Sequence, residues 1–241
     1  MWMTDWFNYG GITRRVMLID VPATFIRDYF IQLEKGSFKK ITGWIRLDGK
    51  QAQQKVTVKI PEAGVEQTVT TNSDGYAKIE FTADLELWSP ENPKLYDVII
   101  SAETDELKDQ IGFRSIETKG QDILLNGKSI FLRGISIHEE SPFPQMGRAS
   151  RKDEAEILLG WAKELNCNFV RLAHYTHNEF MTRIADRLGL LVWAEIPVYW
   201  NIEWKNPGTL ATARNQLKEM IHRDKNRAAI ILWSVSNETP P

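Results

Sequence analysis

The 241-residue sequence is poor in the features that mark several protein classes. It has one cysteine, Cys167, inside the apolar stretch NCNFV, so no disulfide can form within the chain and the residue reads as a small buried side chain. No apolar stretch approaches the roughly 20 residues that span a bilayer. The N-terminal stretch MWMTDWFNYGGITRRV lacks the charged, apolar and small-residue order of a signal peptide. There is little excess charge. The 30 Lys and Arg against 32 Asp and Glu leave −2, which points away from nucleic acid or a membrane surface as the main partner. Histidine is scarce, with four residues, and no His, Cys or carboxylate spacing makes a complete metal-ligand set. Tryptophan, by contrast, is abundant, with nine residues. Core packing accounts for most tryptophans; stacking against sugar rings is the sharper alternative.

Two periodicities divide the chain. From about Val21 to Ile116, segments such as KITGWIRLDG, KVTVKIP and LYDVIISAET alternate apolar and polar residues. Asp48-Gly49, Glu62-Ala63-Gly64 and Ser73-Asp74-Gly75 punctuate them as turns. Short strands at this spacing predict an immunoglobulin-like β-sandwich without the disulfide, over 21–118. LWSPENPKLYDV fits a link between two late strands. After about Lys119 the pattern changes. SIFLRGISIH, NFVRLAH, LLVWAEIP and AAIILWSVSNE read as apolar strands. Helices between them are expected to turn Ile157, Leu158, Trp161 and Leu165, then Phe180, Met181, Ile184 and Leu188, then Leu210, Ala213, Leu217, Met220 and Ile221 inward. Ser150 and Asp153 look like a capping box, and Gly189 like a C-cap. Buried parallel strands under helices predict four βα units without the last helix, over 119–241.

The predicted strand ends carry His138, Glu139 and Glu140; Arg171, His174 and Tyr175; Glu195, with Tyr199 and Trp200; and Asn237-Glu238. In a parallel barrel these ends converge on one face, where active sites form. The expected product is an acidic cleft, containing histidine and rimmed by aromatic rings. Such a cleft suits glycoside hydrolysis, where one carboxyl protonates the leaving oxygen and a second attacks the sugar or activates water. Asn237 fits a neighbour that grips the sugar 2-hydroxyl, and Trp200 a ring that stacks on the sugar face. Each residue also has a plainer role. Arg171 could be a satisfied core cation, Glu195 could hold Arg171 or His174 from behind, and Glu238 could be a solvated end residue. His177 could be a local capping contact and His222 a packing residue. Asn237-Glu238-Thr239 also matches a glycosylation sequon, at a strand end where its use is not expected.

Four segments together carry a resemblance: DWFNYGGITRRV, IGFRSIETKGQDILLNGKSIFLRGISIHEESP, NFVRLAHYTHNEFMTRIADRLGLLVWAEIP and RDKNRAAIILWSVSNE. They resemble glycoside hydrolase family 2, the β-galactosidases, β-glucuronidases and β-mannosidases. The resemblance implies a jelly roll, of which 1–20 would be the tail, then the sandwich, then an eight-stranded TIM barrel of which this chain carries the first half. It implies a retaining exo-β-glycosidase acting on a carbohydrate substrate. In it Glu238 would be the general acid/base and Asn237 the contact to the 2-hydroxyl. His174, His138 and Glu139 would be substrate contacts; the reading of the strand ends adds Tyr175 and Trp200 as contacts, with Arg171 and Glu195 behind them. The family's nucleophile lies on a later strand, so this chain is expected to be inactive alone. No cofactor is implied. The family's metal-dependent members have a His two residues after a Glu; Ser141 follows Glu139 at that spacing, so no metal is implied either. Ala173-His174-Tyr175-Thr176 departs from the family's common Ser-His-Tyr-Pro. Open edges of a half-barrel invite association with another chain. The alternatives are a noncatalytic carbohydrate-binding or interaction module, or a half-barrel completed by a partner chain. The family's degradative enzymes are often exported, in the periplasm or outside the cell; the sequence leaves the compartment unassigned.

Overall fold

The computed structural model describes residues 9–50, 52–144 and 147–239. Two compact units make up the chain. One is Leu18–Phe131; the other is Leu132–Pro241 together with the N-terminal segment to Met17.

The first unit holds β1 (Thr24–Leu33), β2 (Lys40–Gly49), β3 (Lys55–Ile60), β4 (Val65–Thr70), β5 (Tyr76–Thr82), β6 (Tyr96–Ser101) and β7 (Glu106–Ile111). They form two antiparallel sheets, β1-β2-β5 and β4-β3-β6-β7. Alternation builds the sandwich: in β3, Val56, Val58 and Ile60 are buried while Lys55, Thr57 and Lys59 are not. Gly64 closes the turn between β3 and β4 at φ 64°, where a residue with a Cβ is strained. The LWSPENP link joins β5 to β6 and is pinned by Trp88, fully buried, whose backbone N–H donates to Phe113 O at 2.8 Å. A small antiparallel meander follows: β8 (Ile116–Lys119), β9 (Asp122–Leu125) and β10 (Lys128–Ile130). By its contacts it groups with the first compact unit.

The second unit is a partial TIM barrel. β11 (Gly134–Ile137), α1 (Lys152–Glu164), β12 (Phe169–Leu172), α2 (Glu179–Leu188), β13 (Leu191–Glu195), α3 (Pro207–Asp224) and β14 (Ile230–Ser234) alternate, and the strands pair in parallel in the order β11-β12-β13-β14. Val170, Leu172 and Val192 are buried; Gly134 and Ser136 on β11 are exposed.

Several local expectations change. The apolar run SIFLRGISIH is two strands, β10 and β11, broken at an exposed Phe131. At the start of α1 the carboxylate that reaches back is Glu154, not Asp153: it accepts from Ser150 N and Arg151 N, each at 2.8 Å. The helix begins at Lys152, which puts Glu154 in the third position. α1 buries Ala155, Leu158, Leu159 and Ala162, so it docks through small residues and leaves Trp161 and Leu165 exposed. α2 buries Met181 and Ile184 as expected and ends on Gly189 at φ 69°. α3 buries only Met220 and Asp224, leaving Leu210 exposed and Ala213 and Leu217 half-buried.

Candidate active site

Register and alternation assemble the site inside the second unit. Arg171 and Trp193 are opposite partners on β12 and β13, and Glu195 lies two residues past Trp193, on the same face. Val170 and Leu172 point the other way and are buried. The Arg171 guanidinium lies over the Trp193 ring at 4.8 Å from its centroid. From there it donates Nε–H and Nη2–H to the Glu195 carboxylate at 3.0 to 3.2 Å. His174 Nδ1 stands 2.8 Å from the same carboxylate. Arg171 Nη2 also stands 3.1 Å from His174 Nδ1, so Nδ1 donates where it pairs with the carboxylate and accepts where it pairs with the guanidinium. Glu195 itself is 1% exposed.

The fourth strand end joins this network. Asn237 Oδ1 accepts from Arg171 Nη2 at 2.6 Å. That bond fixes which end of the amide is which, and leaves the Asn237 NH2 group for another acceptor. Asn237 is also held through its backbone: its N–H donates to Val198 O at 2.8 Å, and its carbonyl accepts from Trp200 N at 3.3 Å. Glu238, next along the chain, is exposed and accepts from Trp200 Nε1 at 3.2 Å. Trp200 and Glu238 both have positive φ, 57° and 49°. Non-glycine residues held there cost of order 1 kcal/mol each and cluster at functional sites. His138 meets His174 edge-on, with ring centroids 5.2 Å apart.

So Arg171, His174, Glu195 and Asn237 form one bonded group, with His138 beside it and the Trp200–Glu238 pair tied to it through Asn237. Two other residues expected to touch substrate are buried instead. The Glu139 carboxylate is fully buried, ion-paired to Arg14 at 2.5 Å and to Arg148 at 3.7 Å, and bonded to Asn178 N. Burial raises its pKa, against the pull of both arginines. Tyr175 is buried beneath the Arg148 guanidinium, and its hydroxyl accepts from Glu139 N at 3.2 Å. Glu139 is enclosed by Arg14, Arg148 and Asn178, while Tyr175, also buried, lines a cavity with Arg14 and Arg148. His177 is also buried, and its Nε2–H donates to Ala173 O at 2.8 Å; burial pushes its pKa down to about 3, so the ring is neutral.

Arg14 and Arg148 were not singled out from sequence. Their signal is charge: Arg14-Arg15 finds Glu139 and Glu179, which stand far along the chain. Tyr9, bonded to Glu140, ties the same N-terminal segment to the first strand end, and its pKa is pushed up to about 12, chiefly by that bond. Among the described residues no group of three or more His, Cys, Asp or Glu could hold a metal ion. No described helix is long and apolar enough to cross a membrane. Residues 1–8 of the segment compared to a jelly-roll tail lie outside the described residues.

Known proteins resemble the chain along most of its length. A family model described as "Glycosyl hydrolases family 2, TIM barrel domain" matches residues 116–241, and one described as "Glycosyl hydrolases family 2" matches residues 24–114. The chain is 32% identical to a β-galactosidase of Thermoanaerobacterium thermosulfurigenes, over 96% of this chain and 34% of that protein. It is 29% identical to a β-glucuronidase of Paenibacillus borealis, over 97% of this chain and 41% of that protein. Among solved structures, a Bifidobacterium dentium β-glucuronidase complexed with coumarin-3-O-glucuronide superposes with a TM-score of 0.81 at 25% identity, over 90% of this chain and 38% of that one. The chain thus spans well under half the length of these relatives.

Proposed function

The chain belongs to glycosyl hydrolase family 2, and from that premise we propose that it is part of a retaining exo-β-glycosidase in which Glu238 is the general acid/base. Relatives that act on β-galactosides and β-glucuronides support a terminal β-linked sugar as the substrate class. The observation that carries the reading is the Arg171–Asn237 bond beside Glu238. It engages the Asn237 Oδ1 and leaves the amide NH2, one residue from an exposed carboxyl, for a sugar 2-hydroxyl to accept. Glu238 gives a proton to the glycosidic oxygen as the bond breaks, then takes one from the water that releases the sugar. His174, His138 and Trp200 hold the ring, and Arg171 and Glu195 fix His174 and Asn237 in place. Glu139 and Tyr175 act from beneath, through the backbone of the first two strand ends.

Retention needs a second carboxyl about 5–5.5 Å from the first. The two buried candidates are both engaged, Glu195 with Arg171 and His174 and Glu139 with Arg14. A carboxylate held in an ion pair is a poor nucleophile, so we assign that role to a residue beyond these four strands. The exposed Gly134 and Ser136 on β11 support a barrel that closes against further strands or another chain. The domains we assign are a jelly-roll tail to about residue 20, the sandwich to about 118, and the barrel thereafter.

The test is hydrolysis of chromogenic β-galactoside, β-glucuronide and β-mannoside. We expect no turnover by this chain alone. With the barrel completed, we expect turnover that Glu238→Gln lowers by roughly 10²–10⁴. Turnover by the chain alone, or full activity in Glu238→Gln, would refute the assignment.

A further inference from the structure

Beside the candidate site the second unit holds a cavity of about 530 Å³ that the glycosidase reading leaves unused. That is within the range of small-molecule sites. Three arginines line it, Arg14, Arg148 and Arg223. Arg223 is answered by Asp224, at 2.6 and 3.0 Å. Arg14 is answered by Glu139, at 2.5 Å, and by Thr176 O, at 3.2 Å. Arg148 is not answered in full, because the same Glu139 carboxylate also takes Asn178 N. The nearer oxygen is 3.7 Å from Arg148 Nη1, too long for a hydrogen bond. The Arg148 Nε is buried and has no hydrogen-bond partner among the described residues. A charged donor left short of acceptors inside a protein is costly and calls for an explanation. Its guanidinium is nonetheless held in place, 4.3 Å from the centroid of the Tyr175 ring.

The cavity also has a defined place relative to the chemistry. Tyr199 lines it, and the Tyr199 backbone is bridged to Asn237, the residue before Glu238. An acid/base group stands on the leaving-group side of the scissile bond. The opposite wall is α3, which contributes Gln216 and the exposed carboxylate of Glu219.

We propose that this cavity is a subsite for an oxyanion, a carboxylate or sulfate ester, carried by the carbohydrate beyond the sugar that is cleaved. The subsite rests on the glycosidase reading. Guanidinium groups match such anions with paired, charge-assisted hydrogen bonds. Arg148 supplies the guanidinium, whose Nε has no hydrogen-bond partner among the described residues and whose nearest carboxylate is 3.7 Å away.

Calorimetric titration of the 241-residue chain tests it with three probes: a neutral β-linked disaccharide, its analogue with a carboxylate on the reducing-end sugar, and sodium sulfate. At low salt the acidic disaccharide binds roughly tenfold more tightly than the neutral one, and the preference fades as salt is raised. Arg148→Gln abolishes the preference. Because Arg148 also packs on Tyr175, two variants on the exposed face of α3 serve as independent checks. Gln216→Glu weakens acidic binding several-fold, and Glu219→Gln strengthens it several-fold. Equal affinity for both disaccharides overturns the subsite and leaves the glycosidase reading intact. Binding of neither disaccharide overturns the subsite, and the glycosidase reading is then decided by turnover of the completed barrel. Sulfate that binds while the acidic disaccharide fails to displace it means a free-ion site, and overturns the carbohydrate-borne anion.

Discussion

The two compact units bury different things. The sandwich unit encloses an almost wholly apolar core, with Ile31, Ile41, Ile45, Val58, Ile100 and Phe113 at 0% exposure, and Asp109 is its one buried carboxylate among the described residues. The barrel unit buries Glu139, Glu154, Asp186, Glu195, Asp224 and Arg227 as well as His177. Apolar burial stabilises through area alone and tolerates many side chains. Buried charge is a net stabiliser only when every partner is in place, and often no better than apolar packing. The barrel unit therefore carries groups that stability alone would not select. The difference fits the proposal that the chemistry belongs to the barrel unit and the sandwich serves as scaffold.

That contrast is open to direct attack. The largest effects come from breaking each unit in its own currency. Trp88→Ala empties a fully buried site in the sandwich and is expected to cost about 3–5 kcal/mol in urea unfolding. Glu195→Leu strands the Arg171 charge and is expected to cost a similar amount, about 3–5 kcal/mol. The two then part ways. Adding Arg171→Leu to Glu195→Leu recovers most of the stability while the site is lost, because an apolar pair can replace a buried ion pair. No second substitution of the same kind rescues Trp88→Ala. If the double variant stays as unstable as the single one, the barrel charges are structural and the contrast fails.

A smaller effect follows from pH. His177 is held neutral by burial, with its pKa lowered from 6.5 to about 3. Below pH 6.5 the unfolded chain takes up a proton that the folded chain refuses. The stability is present above pH 6.5 and is lost as pH falls from there towards 3, amounting to about 2 kcal/mol by pH 5. The urea midpoint of the barrel transition should fall between pH 7 and pH 5, and His177→Gln should flatten that slope. An unchanged slope in the variant would assign it to other groups.

The smallest effect sharpens the sandwich side. Gly64 has open space for a Cβ but sits at φ 64°. Gly64→Ala should cost about 1 kcal/mol through backbone strain alone. A larger loss would mean that the turn between β3 and β4 is packed more tightly than its surroundings indicate.

Much of this was readable along the chain. Period-two alternation found the sandwich strands because a half-buried strand shows its burial locally, as Val56, Val58 and Ile60 do. Helix docking was less readable. Trp161 and Leu165 lie on the apolar stripe of α1 yet stay exposed, because Ala155 and Ala162 allow the closer approach. The split of SIFLRGISIH also escaped, since a continuous apolar run does not show where it turns.

The order of strands, the apolar alternation, and the placing of Arg171, His174, Glu195, Asn237 and Glu238 at or near strand ends were written in the sequence, because they depend only on period and position. Which of those side chains meet was decided by the tertiary structure. Arg171 reaches Asn237 across 66 positions of chain, and Arg14 reaches Glu139 from the N-terminal segment. Charge pairing acts through space and leaves no periodic mark, so only folding could show that Arg171, readable as a satisfied core cation, pairs with Glu195 and also bonds Asn237.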